Sequence, residues 1–220
     1  MPTTTLYDSD AGNKETQPRN GGVFSGIVVD NCEGAMQGKV LLRLPSLNTQ
    51  VWARLISTGG GSNVGLFKAP PPGTEVLVTF LGDNPEDAYL LGGLFNNNDK
   101  PPIDKPTDLQ TRTVLRTGVA PSSGVPPVAG HTIDLDDADQ TVTITTSTEQ
   151  QVRLSPEKIE ISATGGTVKI TLDLTQQSIS IDAPLSINLT AQGSIKLQAA
   201  NVEINGTAMT KITGGIVMIN

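Results

Sequence analysis

The sequence predicts an all-β chain in two parts, a small barrel followed by a narrow, intertwined trimeric β-prism built jointly by three copies. Three observations carry this expectation. All seven aromatics, Tyr7, Phe24, Trp52, Phe67, Phe80, Tyr89 and Phe95, precede residue 96. The first half is a series of short apolar runs punctuated by glycine and proline, with no convincing amphipathic helix. The second half repeats aliphatic pairs at i, i+2, each the apolar face of one short strand.

Composition narrows the function classes. The chain has 220 residues and 23.0 kDa, with 36% hydrophobic and 17% charged residues, too apolar for a disordered tail and too polar for a membrane protein. A soluble protein is expected. Lys+Arg total 15 against Asp+Glu 22, a net charge of -7 and a pI near 4.6, which argues against phosphate-backbone ligands, so no nucleic acid is expected as a partner. The lone Cys32 has no partner for an intrachain disulfide, and the lone His131 leaves no cluster for a transition metal. No cofactor or metal is expected. Neither a secretory signal nor a stretch of ~20 apolar residues is visible, so any membrane encounter depends on delivery by other components.

In chain order, residues 1–20 read as a polar N-terminal extension. Residues 21–98 hold five strand-like runs, 23–30, 38–44, 51–57, 75–81 and 88–95, separated by turn signals such as the Gly59-Gly60-Gly61 run and Pro70-Pro71-Pro72-Gly73. Five strands in about 80 residues match a five-stranded OB-fold barrel, with a small sandwich as the alternative. Residues 99–130 contain Pro101, Pro102, Pro106, Pro121, Pro126 and Pro127 and read as an extended linker or strap.

Residues 131–220 carry the pairs Val142/Ile144, Val152/Leu154, Ile159/Ile161, Val168/Ile170, Ile179/Ile181, Ile187/Leu189, Ile195/Leu197 and Val202/Ile204, recurring every 7 to 11 residues. That repetition indicates a β-solenoid. Faces two residues wide cannot enclose a core in one chain. Three chains wound about one axis would bury every face against its copies, and a narrow axis admits Ile, Val and Leu but not rings. These sixteen residues are the expected trimer core.

Several stretches resemble the phage baseplate assembly protein V family and VgrG, the spike of type VI secretion. They are Gln37-Gly38-Lys39-Val40-Leu41-Leu42-Arg43-Leu44-Pro45, Val51-Trp52-Ala53-Arg54-Leu55, the run from Pro72-Gly73-Thr74-Glu75-Val76 to Gly82-Asp83, and Leu91-Gly92-Gly93-Leu94-Phe95-Asn96. Gly130-His131-Thr132-Ile133-Asp134-Leu135-Asp136-Asp137 is similar to the segment where such proteins pass into a triple-stranded β-helix. The resemblance implies a non-enzymatic central spike of a contractile phage tail baseplate. Such a homotrimeric needle is located in the virion, nucleates hub assembly and punctures the host envelope when the sheath contracts.

It also implies a baseplate hub protein at the OB and N-terminal end. No hub domain precedes the barrel and no lysozyme domain is inserted, so both are expected as separate proteins. His131 stands far from the apex, where some short phage spikes hold iron through His-x-His, so a metal-free or capped tip is expected. A separate conical tip protein of the Pro-Ala-Ala-Arg repeat (PAAR-like) type is expected on Ile216, Val217, Met218, Ile219 and Asn220, because strand alternation cannot turn all four aliphatics inward. The alternatives are the spike of a bacterial injection system, bacteriocin or type VI-like, and a trimeric tail fibre or adhesin.

The remaining motifs read as structure. Asp134, Asp136, Asp137 and Asp139 could supply oxygen ligands to calcium, but the spacing lacks the glycine and terminal glutamate of an EF-hand loop and reads as a polar turn. His131 has no acid or nucleophile placed beside it and reads as a junction residue. The glycine run at 59–61 lacks the Gly-Lys-Ser/Thr ending of a phosphate loop. Phe24, Trp52 and Phe80 suit a barrel core rather than a base-stacking platform with Arg54. Asn188-Leu189-Thr190 and Asn205-Gly206-Thr207 are chance matches to glycosylation acceptors, and Cys32 is a neutral turn-proximal residue.

Overall fold

The computed structural model describes residues 22–31, 38–82, 84, 86–118 and 128–219. Residues 1–20, Cys32, the 33–34 turn and Asn220 lie outside these. The chain divides at Asp182/Ala183 into two units.

Strands β1 (Val23–Asp30), β2 (Lys39–Leu44), β3 (Thr49–Leu55), β4 (Glu75–Phe80) and β5 (Ala88–Gly93) close a barrel in the order β1-β2-β3-β5-β4. Every pairing is antiparallel except β3 with β5, which run parallel through Ala53 opposite Ala88 and Leu55 opposite Leu90. Period-two alternation makes the interior: Val40, Leu42 and Leu44 on β2, Val76, Val78 and Phe80 on β4, and Ala88 and Leu90 on β5 are buried with Val28 and Ala53. Phe24 closes one end edge-on against Phe80, ring centroids 5.6 Å apart. Gly26 lies tight against this core where β1 crosses it: a Cβ there would lie 2.9 Å from Leu44 Cδ2, which would have to shift.

Trp52 departs from expectation. Ala53 takes the inward position on β3, so its neighbour Trp52 opposes Leu41 on the outer side and is only half-buried. The core instead uses aliphatics with Phe80, and Arg54 packs over the Tyr89 ring at 5.5 Å.

Seven further strands follow: β6 (Arg112–Arg116), β7 (Thr132–Asp136), β8 (Thr141–Thr145), β9 (Gln151–Leu154), β10 (Lys158–Ser162), β11 (Lys169–Asp173) and β12 (Ser178–Asp182). They form one sheet in sequence order, every neighbour antiparallel. Within residues 99–130, which composition marks as a linker, a 3-10 turn spans Pro106–Gln110 and β6 opens the sheet. The prolines flank this stretch, and residues 107–118 contain none, which leaves β6 every N–H it needs to pair with β7.

Turns close the meander from within the chain. Asp136 Oδ1 accepts the N–H groups of Ala138 and Asp139 at 3.1 and 3.2 Å, and Gln140 takes positive φ at 52°. The β11–β12 turn repeats the device, with Asp173 Oδ1 accepting from Gln176 N–H at 2.8 Å and Gln177 at φ 54°.

Residues 183–219 form the second unit. They contain no strand, and every side chain among them is exposed except that of residue 183. The strands expected around Ile187/Leu189, Ile195/Leu197 and Val202/Ile204 are therefore not made within one chain.

Candidate functional site

The β6–β12 sheet has one face built of aliphatics in two continuous columns. Cross-strand register aligns Leu115, Ile133, Ile144, Val152, Ile161, Ile170 and Ile181 in the first column. It aligns Leu135, Val142, Leu154, Ile159, Leu172 and Ile179 in the second, headed by Thr113. Each pair two residues apart on a strand lands opposite the next pair, because period-two alternation and an in-register ladder send both to one side.

None of the side chains on this face is buried. Among the described residues of 106–219 none is buried, whereas the ten buried hydrophobics all lie in the barrel, between Val28 and Leu90. Ile144, Ile161 and Ile181 are 43%, 46% and 50% exposed. A stripe of this length in water is the signature of an interaction surface.

Nine of the sixteen expected core residues lie in the sheet, and all nine sit in the two columns. Val168 falls one residue before β11, where Ile170 pairs with Leu172 instead. Leu172, Leu115 and the pair Ile133/Leu135 complete the columns and were not among those residues. The i, i+2 spacing of Ile133/Leu135 and Ile170/Leu172 is the signal that finds them. Ile187, Leu189, Ile195, Leu197, Val202 and Ile204 lie exposed in the second unit. So do Ile216, Val217, Met218 and Ile219, at 85%, 49%, 87% and 87%.

The opposite face is polar and cross-linked. Glu160 on β10 takes Lys169 Nζ at 2.8 Å and Lys158 Nζ at 3.0 Å, and these bonds, Lys169's first, hold its carboxyl below the usual range. Arg112 on β6 grips Asp134 on β7 through both carboxylate oxygens and reaches Asp108 at 3.5 Å.

Candidates for chemistry resolve into structure. Asp134 faces Arg112, Asp136 closes its own turn, and no group of three or more His, Cys, Asp or Glu among the described residues is arranged to hold a metal. His131 Nδ1 accepts the Ser147 N–H at 3.2 Å and the backbone N–H of His131 donates to Thr117 Oγ1 at 2.8 Å, joining the ends of β6 and β7 to the β8–β9 turn. The glycine loop folds back on itself, Gly61 N–H donating to the Val64 carbonyl at 3.0 Å.

The barrel thus leads into a ribbon with one bare aliphatic face. Residues 24–95 match the family described as "Type VI secretion system/phage-baseplate injector OB domain". The chain is VgrG-like over this stretch. It is 35% identical over 77 residues to the type VI secretion system spike protein VgrG5 of Pseudomonas aeruginosa, covering 35% of this chain and 10% of that protein. It is 35% identical over 66 residues to the type VI secretion system spike protein VgrG3 of Vibrio cholerae and, separately, to the actin cross-linking toxin VgrG1 of that species, covering 30% of this chain and 6% of each. The chain thus spans a tenth or less of the length of these curated relatives.

Proposed function

We propose that three copies of this chain form the central spike of a contractile injection machine, a needle that breaches a target envelope and does no chemistry itself. The observation that carries this reading is the pair of uncovered aliphatic columns. Each sheet supplies two rows of side chains, and three such faces turned inward about one axis close a dry, narrow core. Each aliphatic side chain so buried contributes about 1.5–3 kcal/mol. The barrel's likeness to the injector OB domain supports its placement at the hub end.

The contractile phage tail is the setting we propose, with the protein in the virion baseplate. The similarity to proteins named as type VI secretion spikes favours a second setting, a bacterial injection system. The exposed run at 216–219 suits the docking of a small PAAR-like tip protein that adds strands to the prism.

Light scattering of the full chain tests the assembly. A mass of about 69 kDa, three times 23.0 kDa, is expected. A folded 23.0 kDa monomer at micromolar concentration overturns it.

A further inference from the structure

We infer that the loop between β3 and β4 is a contact finger through which the barrels of neighbouring copies meet. Val64 of each copy seats in a cleft on the finger of the next, and the ring of three fingers covers the barrel end of the aliphatic core. The inference rests on the trimeric reading above and adds to it a second, separate contact.

The finger is shaped ahead of any partner. Beyond Leu55 the chain turns back on itself, with Gly61 paired to Val64 and the Leu66 N–H donating to the Thr58 carbonyl at 3.3 Å. Glycine lets the two arms close: a Cβ on Gly65, at φ 121°, would stand 3.0 Å from Gly60 Cα. A hairpin so bonded holds its side chains out at fixed positions.

What it holds out is apolar. Ile56, Val64, Leu66 and Phe67 neither belong to the barrel core nor pack against it. Val64 is 67% and Phe67 69% exposed. From residue 34 to residue 74 the sequence has no Asp or Glu, so no carboxylate interrupts this surface. Large apolar side chains clustered on one short loop mark a contact surface.

The finger carries both halves of a joint. Leu55, Ile56, Leu66, Phe67 and Lys68 help line a cleft of about 190 Å³, and Val64, nearer the turn, is not part of that lining. A projecting side chain and a separate cleft on one chain match each other between copies. A two-fold pair would need a patch that matches itself, whereas two different patches join head to tail and close into a ring when the rotation allows, here a third of a turn.

The finger is also rooted beside the proposed core. Lys68 Nζ donates to the Arg116 carbonyl at 2.9 Å, fastening the base of the finger to the end of β6. The preceding residue, Leu115, heads the first aliphatic column and is exposed. Turning three such columns inward brings three finger bases to the same end of one axis, where the apolar side chains exclude water from the end of the core.

Thiol labelling of the full chain tests this. In a Cys32→Ser background, Val64→Cys and, separately, Ser46→Cys are treated with N-ethylmaleimide, and the same samples are sedimented. Ser46 is exposed in the β2–β3 turn, at the other end of that hairpin from the finger. In a trimer of about 69 kDa, three times 23.0 kDa, the Val64→Cys thiol should react at least about tenfold more slowly than the Ser46→Cys thiol. Adding Phe67→Asp should bring the two rates together while the mass stays that of the trimer, because the sheet core is untouched. Equal rates in an intact trimer without Phe67→Asp overturn the ring and leave the finger open to a separate protein. A slow Val64→Cys thiol that Phe67→Asp does not release overturns it as well, and in both cases the trimer stands. Failure of the wild-type chain to trimerise removes the trimeric reading and the ring with it.

Discussion

Arg112 and Asp134, on adjacent strands of the first hairpin, are joined by a two-pronged hydrogen bond, Nε to Oδ1 at 2.8 Å with Nη2 on Oδ2. The hydrogen bond from Arg112 is the largest influence on Asp134 and lowers its pKa below the ordinary carboxylate value, while the same bond raises that of Arg112. The pair fixes the start of the sheet, where β6 would otherwise hang from a proline-flanked connection.

Acid should therefore loosen this hairpin. A carboxyl whose folded pKa is depressed contributes stability that is complete above its unfolded pKa, about 3.9, and lost as pH falls through the folded value. Glu160, lowered by Lys169 and Lys158, has the same sign. Thermal melting of wild type and Asp134→Asn should differ at neutral pH by about 1 kcal/mol, a partly exposed bidentate pair, and converge in acid. A constant difference across that range contradicts the assignment.

The barrel has its own core, and its mutants should report on it alone. Leu42 is fully buried among Val40, Val78 and the other barrel residues, and Leu42→Ala should cost about 2–5 kcal/mol in urea unfolding followed by Trp52 fluorescence. The mass of the assembled protein should not change. Loss of trimer in this variant places assembly contacts in the barrel instead.

Two turn residues are strained in the opposite sense. Gln140 and Gln177 occupy left-handed backbone at φ 52° and 54°, which glycine adopts without penalty. Gln140→Gly and Gln177→Gly should each stabilise by about 0.5–1 kcal/mol in thermal melts, whereas Thr143→Gly on the neighbouring strand should destabilise. Equal losses at both turns refute the conformational argument.

The barrel was legible in sequence because every inward strand position carries an apolar residue and every gap carries turn chemistry, so all five strands fall close to where alternation puts them. Trp52 was not. Which parity of β3 faces inward depends on its neighbour strands, and Ala53 alone does not announce a core. β6 was hidden because prolines on both sides dominate the composition of a stretch whose middle, Arg112–Arg116, has none. The aliphatic pairs were legible as strand faces, but their alignment into two columns is a matter of register, which hairpin lengths decide and composition does not. Val168 shows the limit: its spacing from Ile170 fits, yet the strand begins one residue later and Leu172 takes the place.

Sedimentation velocity on two adjacent substitutions tests the central claim most directly. Ile144 lies in the aliphatic column, and Thr143 lies on the opposite face between Asp134 and Arg153. Ile144→Asp would set three like charges in a dry core and should yield only monomer, while Thr143→Asp should sediment as the wild-type trimer. A trimer that survives Ile144→Asp, or equal behaviour of the two variants, would contradict a core built on this face.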